Sequence, residues 1–391
     1  MVRAVRSGLS FRAVAYRFGV SVGTIACWVA RAKGHRLDRV CFDNQKSGRS
    51  SNRTSDEVEQ HILDLRKTLR DDSVLGEYGS DAIRLALQAQ DPDIMPPSRA
   101  TIHRVLARMG LLDGTRRTRR PPPPKGWYLP DVAAGRAELD TFDFIVDLKI
   151  ANGPLVDILT GTSLHGSLAD AWIMQSASAQ GTLLALLARW RREGLPTYAQ
   201  FDNDTLFQGA HQFPDSVGRV CRACLALHVI PVFAPPREPG FQNAIEGFNA
   251  IWQSKVWQRF HFVDLPSLEA VSAQYISAHR AKTVSRRETS PERKPFPENF
   301  ALNLSAPLRG RMIFLRRTDD RGQVNLLGRS FQATDLWLHR LVKCEVDFTK
   351  HRIRFYALRR RDPTTQTLLN QVPYHRPDRP FQGKEKVFSQ R

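Results

Sequence analysis

Pro196-Thr197-Tyr198-Ala199-Gln200-Phe201-Asp202-Asn203-Asp204 is an apolar run that ends abruptly in two acids around an amide. It reads as a short buried strand carrying Asp202 at its carboxyl end, where ligands of open α/β sheets gather. Working outward, 139–150 and 155–164 are apolar-rich runs separated by Ala151-Asn152-Gly153-Pro154, a hairpin composition, and 168–174 fits a third strand. The spacing of Leu183, Leu186, Leu187 and Trp190 predicts a helix over 182–190 that Gly194 ends. A helix over 217–227, a strand over 228–233 and a helix beginning near Gln242 follow. Three strands and then alternating helices and strands predict a mixed α/β sheet.

Two further acids fall where this sheet would gather them. Asp143 lies between Phe142 and Phe144, so if both rings enter the core its carboxylate projects to the opposite face. Asp140 and Asp147 are nearby alternatives for the same role. Glu246 comes early in the last helix, between Ile245 and Phe248. Two Asp and one Glu on three adjacent elements are what a two-metal site requires. Oxygen ligands suit Mg²⁺, and two ions roughly 3.5 to 4 Å apart clamp both oxygens of an in-line phosphoryl displacement.

Charge is spread unevenly along the 391 residues. Residues 1–130 carry net +10, 131–300 net −2 and 301–391 net +11, for +19 overall. Basic ends around a slightly acidic centre suit a protein that grips a polyanion, with double-stranded DNA the leading candidate, because Lys and Arg placed at phosphates release counterions. Ser10 can cap a helix through Phe11, Val14, Ala15 and Phe18. After Gly19 and Val20, Ser21 caps a second helix with Val22, Ile25, Trp28 and Val29. Residues 1–42 therefore read as a helix-turn-helix unit with Thr24 at the groove-facing end. Residues 54–115 repeat the logic: Ser98 caps a helix that would present Arg99, Thr101, His103 and Arg104. A polar stretch over 43–54 joins the two units. A basic, Pro-rich linker over 116–135 begins with Arg116 and Arg117, whose charges can follow a phosphate backbone. Lys255, a turn or two beyond Glu246, is a candidate to hold donor DNA. Short runs of alternating charged and apolar residues over 305–375 predict a small β-barrel.

Other chemistries find little support. No eighteen consecutive apolar residues occur and Met1-Val2-Arg3 opens a helical pattern, so neither membrane spanning nor secretion is expected. Five cysteines make no disulfide framework, which points to the cytoplasm. Cys221 and Cys224 have zinc-like spacing without a second pair, and fit one face of a buried helix. No Gly-x-x-x-x-Gly-Lys occurs, so ATP-driven chemistry is unsupported.

On these residues, 138–280 resembles the catalytic core of the retroviral-integrase superfamily, the acidic-triad (DDE) transposases and integrases of bacterial insertion sequences. The strand with Asp143, the Phe201-Asp202-Asn203 strand end and Gly240-Phe241-Gln242-Asn243-Ala244-Ile245-Glu246 carry the likeness. The last looks like the family's Asn-Gly-x-x-Glu helix start, whereas Asp204 stands where the family has Gly. The resemblance implies a ribonuclease-H-like core over 136–285 with Asp143, Asp202 and Glu246 as catalytic, metal-binding acids. It also implies two Mg²⁺ ions with Mn²⁺ as substitute, and phosphodiester hydrolysis followed by strand transfer at mobile-element ends. A homo-oligomer acting on the bacterial nucleoid would follow. The competing expectation is a transposase-derived DNA-binding regulator that has lost the chemistry.

Overall fold

The computed structural model describes residues 1–37, 54–93, 95–112, 125–151, 153–210, 213–238, 240–360, 362–377 and 381. Most of the 43–54 linker, the basic run with Arg116 and Arg117, and the prolines at 121–124 lie outside the described residues. The chain forms two compact units. One comprises Met1–Thr68 with Tyr78–Leu112, the other Leu69–Glu77 with Asp113–Arg391. Among the described residues, no single helix is long and apolar enough to cross a membrane.

The first unit is helical. The Ser10 side chain accepts the Ala13 N–H at the start of Phe11–Phe18, and the Ser21 side chain accepts the Thr24 N–H at the start of Val22–Arg31. Each bond satisfies a donor that the first helical turn leaves unpaired. Gly19 ends the first helix at φ 64°, a left-handed conformation that glycine adopts without strain. The two helices meet at 110° and bury Val14, Ala15 and Ile25 between them. Three more helices, Asp56–Asp72, Ser80–Gln90 and Arg99–Arg108, bury Ile62, Leu65, Ile83, Ile102, Val105 and Leu106.

The second unit is built on one nine-stranded mixed sheet. Its strands are β1 (Leu139–Lys149), β2 (Leu155–Ser163), β3 (Ala169–Met174), β4 (Tyr198–Phe201), β5 (Ile230–Phe233), β6 (Arg311–Arg317), β9 (Leu341–Asp347), β10 (Arg352–Ala357) and β11 (Leu368–Pro373). A separate two-stranded sheet is formed by β7 (Gln323–Leu326) and β8 (Arg329–Gln332). The order across the sheet is β11-β10-β9-β6-β5-β4-β1-β2-β3. The β1–β2 and β2–β3 pairs are antiparallel, whereas β1–β4, β4–β5 and β5–β6 are parallel.

The separate barrel expected over 305–375 is not what forms. Its strands continue the central sheet: Val232 pairs with Ile313 and Phe233 with Phe314, and the two phenylalanine rings stack with centroids 5.1 Å apart. Phe201, Phe233, Phe314 and Phe355 belong to one apolar core. Without β6, the four-residue apolar β5 would be an open edge, and Met312 and Phe314 supply the inward face that covers it. Alternation along a strand reports that one face is buried, but not which strand lies beside it.

Asp140 is fully buried among cations. It accepts from Arg189 at 3.0 and 3.2 Å, from Arg293 at 2.9 and 2.8 Å, and from the Trp190 indole at 3.2 Å. Arg189 also pairs with Asp170, which Arg192 and Arg280 reach as well. Burial alone would raise the Asp140 carboxyl, but Arg189 and Arg293 hold it well below the usual carboxylate range. This carboxylate is committed to structure and not to chemistry. Asp140→Ala should cost about 3–5 kcal/mol in urea unfolding, because it breaks a buried ion pair and leaves the fully buried Arg189 with only Asp170, which Arg192 and Arg280 share. Since the folded pKa lies below the unfolded value of about 3.9, the native bridge contributes in full above that pH and is lost as pH falls further.

Candidate active site

Aromatic packing sets the direction of the first acid. The Phe142 ring stacks on Phe201 at 5.6 Å and Phe201 on Phe207 at 4.8 Å, while Phe144 rests against Phe207 at 5.5 Å. Gly161, opposite Phe142 on β2, makes room: a Cβ there would stand 2.8 Å from the ring. With both rings on the core side, Asp143 faces the other way, toward the helix Asn243–Trp252. Its Oδ1 accepts the Phe144 N–H and its Oδ2 accepts Asn249 Nδ2, both at 2.9 Å. Thr160 Oγ1 lies 2.5 Å from Asn249 Oδ1. As a hydroxyl donor it fixes which end of the amide meets Asp143.

Asp202 stands just past β4, and its Oδ1 accepts the Asp204 N–H at 3.0 Å. The departure at Asp204 has a local cause, since this side chain caps the helix Thr205–Gln208 by accepting the Leu206 N–H at 2.7 Å. Glu246 lies in the first turn of Asn243–Trp252. The Phe241 carbonyl, just before that helix, accepts from Gln200 Nε2 at 2.9 Å and from the Tyr128 hydroxyl at 3.1 Å, so β4 fixes the helix start.

The acids feel one another. The Asp143 carboxyl is pushed up to about 6, first by burial and then by the charges of Asp202 and Glu246, against the lowering bonds from Phe144 and Asn249. Asp202 is also raised, by burial and by Asp204, with the Asp204 N–H opposing. Asp143, Glu246, Asn249, Gln253 and Gln258 line an open cavity of about 470 Å³, which Asp202 does not line. Among the described residues, no three His, Cys, Asp or Glu side chains stand close enough to hold a metal ion as they are placed. Asp147 is exposed at a bulge, at φ 59°.

Asn249 was missed in the sequence, although its position three residues after Glu246 puts it on the same helix face. Gln253 opens a π-helical turn, Gln253–Trp257, and π-turns are frequent at functional sites. Lys255 does not line the cavity: its ammonium donates to Gly76 O at 2.9 Å. Arg99, His103 and Arg104 are exposed on their helix, with Arg99 3.3 Å from Asp81. Thr24 and Thr101 are half-buried and their hydroxyls pair with the capping Ser21 and Ser98. Cys221 and Cys224 are buried on the helix Arg219–Ala226.

No protein-family model matches the chain, and no curated protein matches it. Among solved structures it is similar to the simian T-cell lymphotropic virus intasome in complex with PP2A regulatory subunit B56 gamma, at 12% identity over 78% of this chain and 96% of that one, with a TM-score of 0.34. It is also similar to the catalytic core domain of BIV integrase, at 16% identity over 36% of this chain and 81% of that one, with a TM-score of 0.26. The HTLV-2 integrase catalytic core domain in complex with magnesium gives 13% identity over 35% and 82%, with a TM-score of 0.27.

Because Asp143 titrates near 6 in the folded chain and near about 3.9 when unfolded, it removes stability as pH rises between those values. Asp143→Asn should therefore melt higher than the native protein at pH 8, with the gain gone at pH 4. Asn249→Ala removes a bond that favours the charged form, so the Asp143 carboxyl carbon, followed by NMR, should titrate at still higher pH.

Proposed function

We propose that the chain is a DNA transposase or integrase whose ribonuclease-H-like core uses Asp143, Asp202 and Glu246 as its acids. The observation that carries this reading is that Asp143 and Glu246 line one cavity, with Asn249 of the Glu246 helix bonded to Asp143, and that Asp202 stands at the end of β4, the strand beside β1. The order β3-β2-β1-β4-β5, with β2 antiparallel to its neighbours, supports the core assignment.

The donor set fits a hard divalent cation. Asp143 is bonded to the Phe144 N–H and to the Asn249 amide, both neutral, and carboxylate oxygens are the ligands Mg²⁺ takes. Asp143, Asp202 and Glu246 would hold two Mg²⁺ ions, for which Mn²⁺ could substitute. When bound, they supply the positive charge that stabilises a pentacoordinate phosphate and makes water acidic. The chain's own residues do the positioning. Asn249, oriented by Thr160, aims the Asp143 carboxylate, while Gln200 and Tyr128 hold the turn that starts the Glu246 helix. The reaction proposed is hydrolysis of a phosphodiester at an element end, then attack of the freed 3′ hydroxyl on target DNA. DNA would be held by the basic first unit through Arg99, Thr101, His103 and Arg104, by Thr24 of the other helix pair, and by Arg116 and Arg117. A homo-oligomer would bring two ends together.

Asp143→Asn, Asp202→Asn and Glu246→Gln should each reduce Mg²⁺-dependent cleavage and joining of short duplexes to background while leaving DNA affinity at the native value. Arg104→Ala should weaken binding across sequences and lower the log–log salt slope by about one. Cleavage and joining that survive Asp202→Asn would overturn the catalytic reading, and binding without cleavage in the native chain would favour a DNA-binding regulator.

A further inference from the structure

The guanidinium of Arg316, on β6, lies against the turn that carries Asp202. Nη2 donates to Asn203 Oδ1 at 2.8 Å, Nη1 to Leu315 O at 2.9 Å and Ala234 O at 3.3 Å, and Nε to Asn325 O at 3.3 Å. Asn203 closes the ring by donating its own Nδ2 to Ala234 O at 2.6 Å. The residue after Asp202 and the residue after β5 are thus tied together by a side chain from the far part of the sequence. Burial pulls the guanidinium down to about 10, and no carboxylate pairs with it among the described residues. A partly buried cation bonded to neutral acceptors is costly, and an alkyl side chain would fill the same space more cheaply.

The chain beyond Asp202 is held from the same direction. Asp215 is buried at φ 62° and accepts from Arg329 at 2.8 and 2.6 Å and from the Tyr374 hydroxyl at 3.1 Å. Its own carbonyl accepts from Arg376 at 2.9 Å, and its N–H donates to Leu327 O at 2.8 Å. Residues from beyond Arg311 therefore anchor both ends of the 203–215 segment.

We infer that Arg316 is a positioning residue for Asp202, and that the strands following Arg311 are a working part of the acid site and not an independent module. The inference rests on the reading of Asp202 as a metal-binding acid. Asn203 transmits the constraint: with Arg316 on its side-chain carbonyl and its own amide on Ala234 O, the turn that bears Asp202 is held at the next residue. Side chains that orient a ligand in this way typically change metal affinity about 10- to 100-fold when removed.

Mn²⁺ binding by the full chain, read by electron paramagnetic resonance, tests this without relying on turnover. The variants are Arg316→Met, Asn203→Ala, their combination, Arg316→Lys and Asp202→Asn, with thermal melting to verify folding. Arg316→Met and Asn203→Ala should each weaken binding about 10- to 100-fold, the double variant no more than Arg316→Met alone, and Arg316→Lys less than Arg316→Met. If Arg316→Met fails to fold, Asn203→Ala, which removes the acceptor and leaves the cation, carries the test. Native-like Mn²⁺ binding in folded Arg316→Met or Asn203→Ala, alongside its loss in Asp202→Asn, overturns the inference while the acid site stands. Native-like binding in Asp202→Asn overturns the acid site and this inference with it.

Discussion

Carboxylates brought together in a partly buried place repel one another, and every bond around this site acts against that repulsion. Asp143 is bonded on both oxygens, Asp202 leans on the backbone of Asp204, and the helix bearing Glu246 is pinned at its start by Gln200 and Tyr128. None of these partners is a cation. The Asp143 carboxyl is accordingly raised, first by burial and then by the charges of Asp202 and Glu246, and the fold does not neutralise that cost. Contrast Asp140, three residues earlier on the same strand, where two arginines and an indole remove the cost altogether. One strand thus carries an acid with its charge settled and another with its charge open, and the second faces a cavity.

Much of the architecture was legible because its local signals are strong. Serines at 10, 21 and 98 mark helix starts and each accepts the expected N–H. The apolar runs around Asp143 and Asp202 become neighbouring parallel strands, with Leu139 beside Tyr198 and Thr141 beside Gln200. The paired rings of Phe142 and Phe144 correctly indicate the face from which Asp143 projects.

What was not legible depends on partners distant in the chain. Nothing local in 311–317 distinguishes a barrel strand from one that extends another sheet, since the choice lies in the open edge of β5. The short, polar β8 and β11 lack an apolar run of their own. Asn249 is signalled only by standing three residues after Glu246, and its role depends on Thr160 of the distant β2. Lys255, expected as a candidate to hold donor DNA, donates to a backbone carbonyl that no spacing rule points to.

The parallel seam between β5 and β6 also bears on how the chain is made. Synthesis runs from the N-terminus, so β1 to β5 leave the ribosome well before Arg311–Arg317 exists. Throughout that interval the nascent sheet ends in Ile230–Phe233, an apolar border with its backbone groups unanswered. The fold is completed late and from the far end, and until then the half-built unit is the form most exposed to wrong pairing between chains.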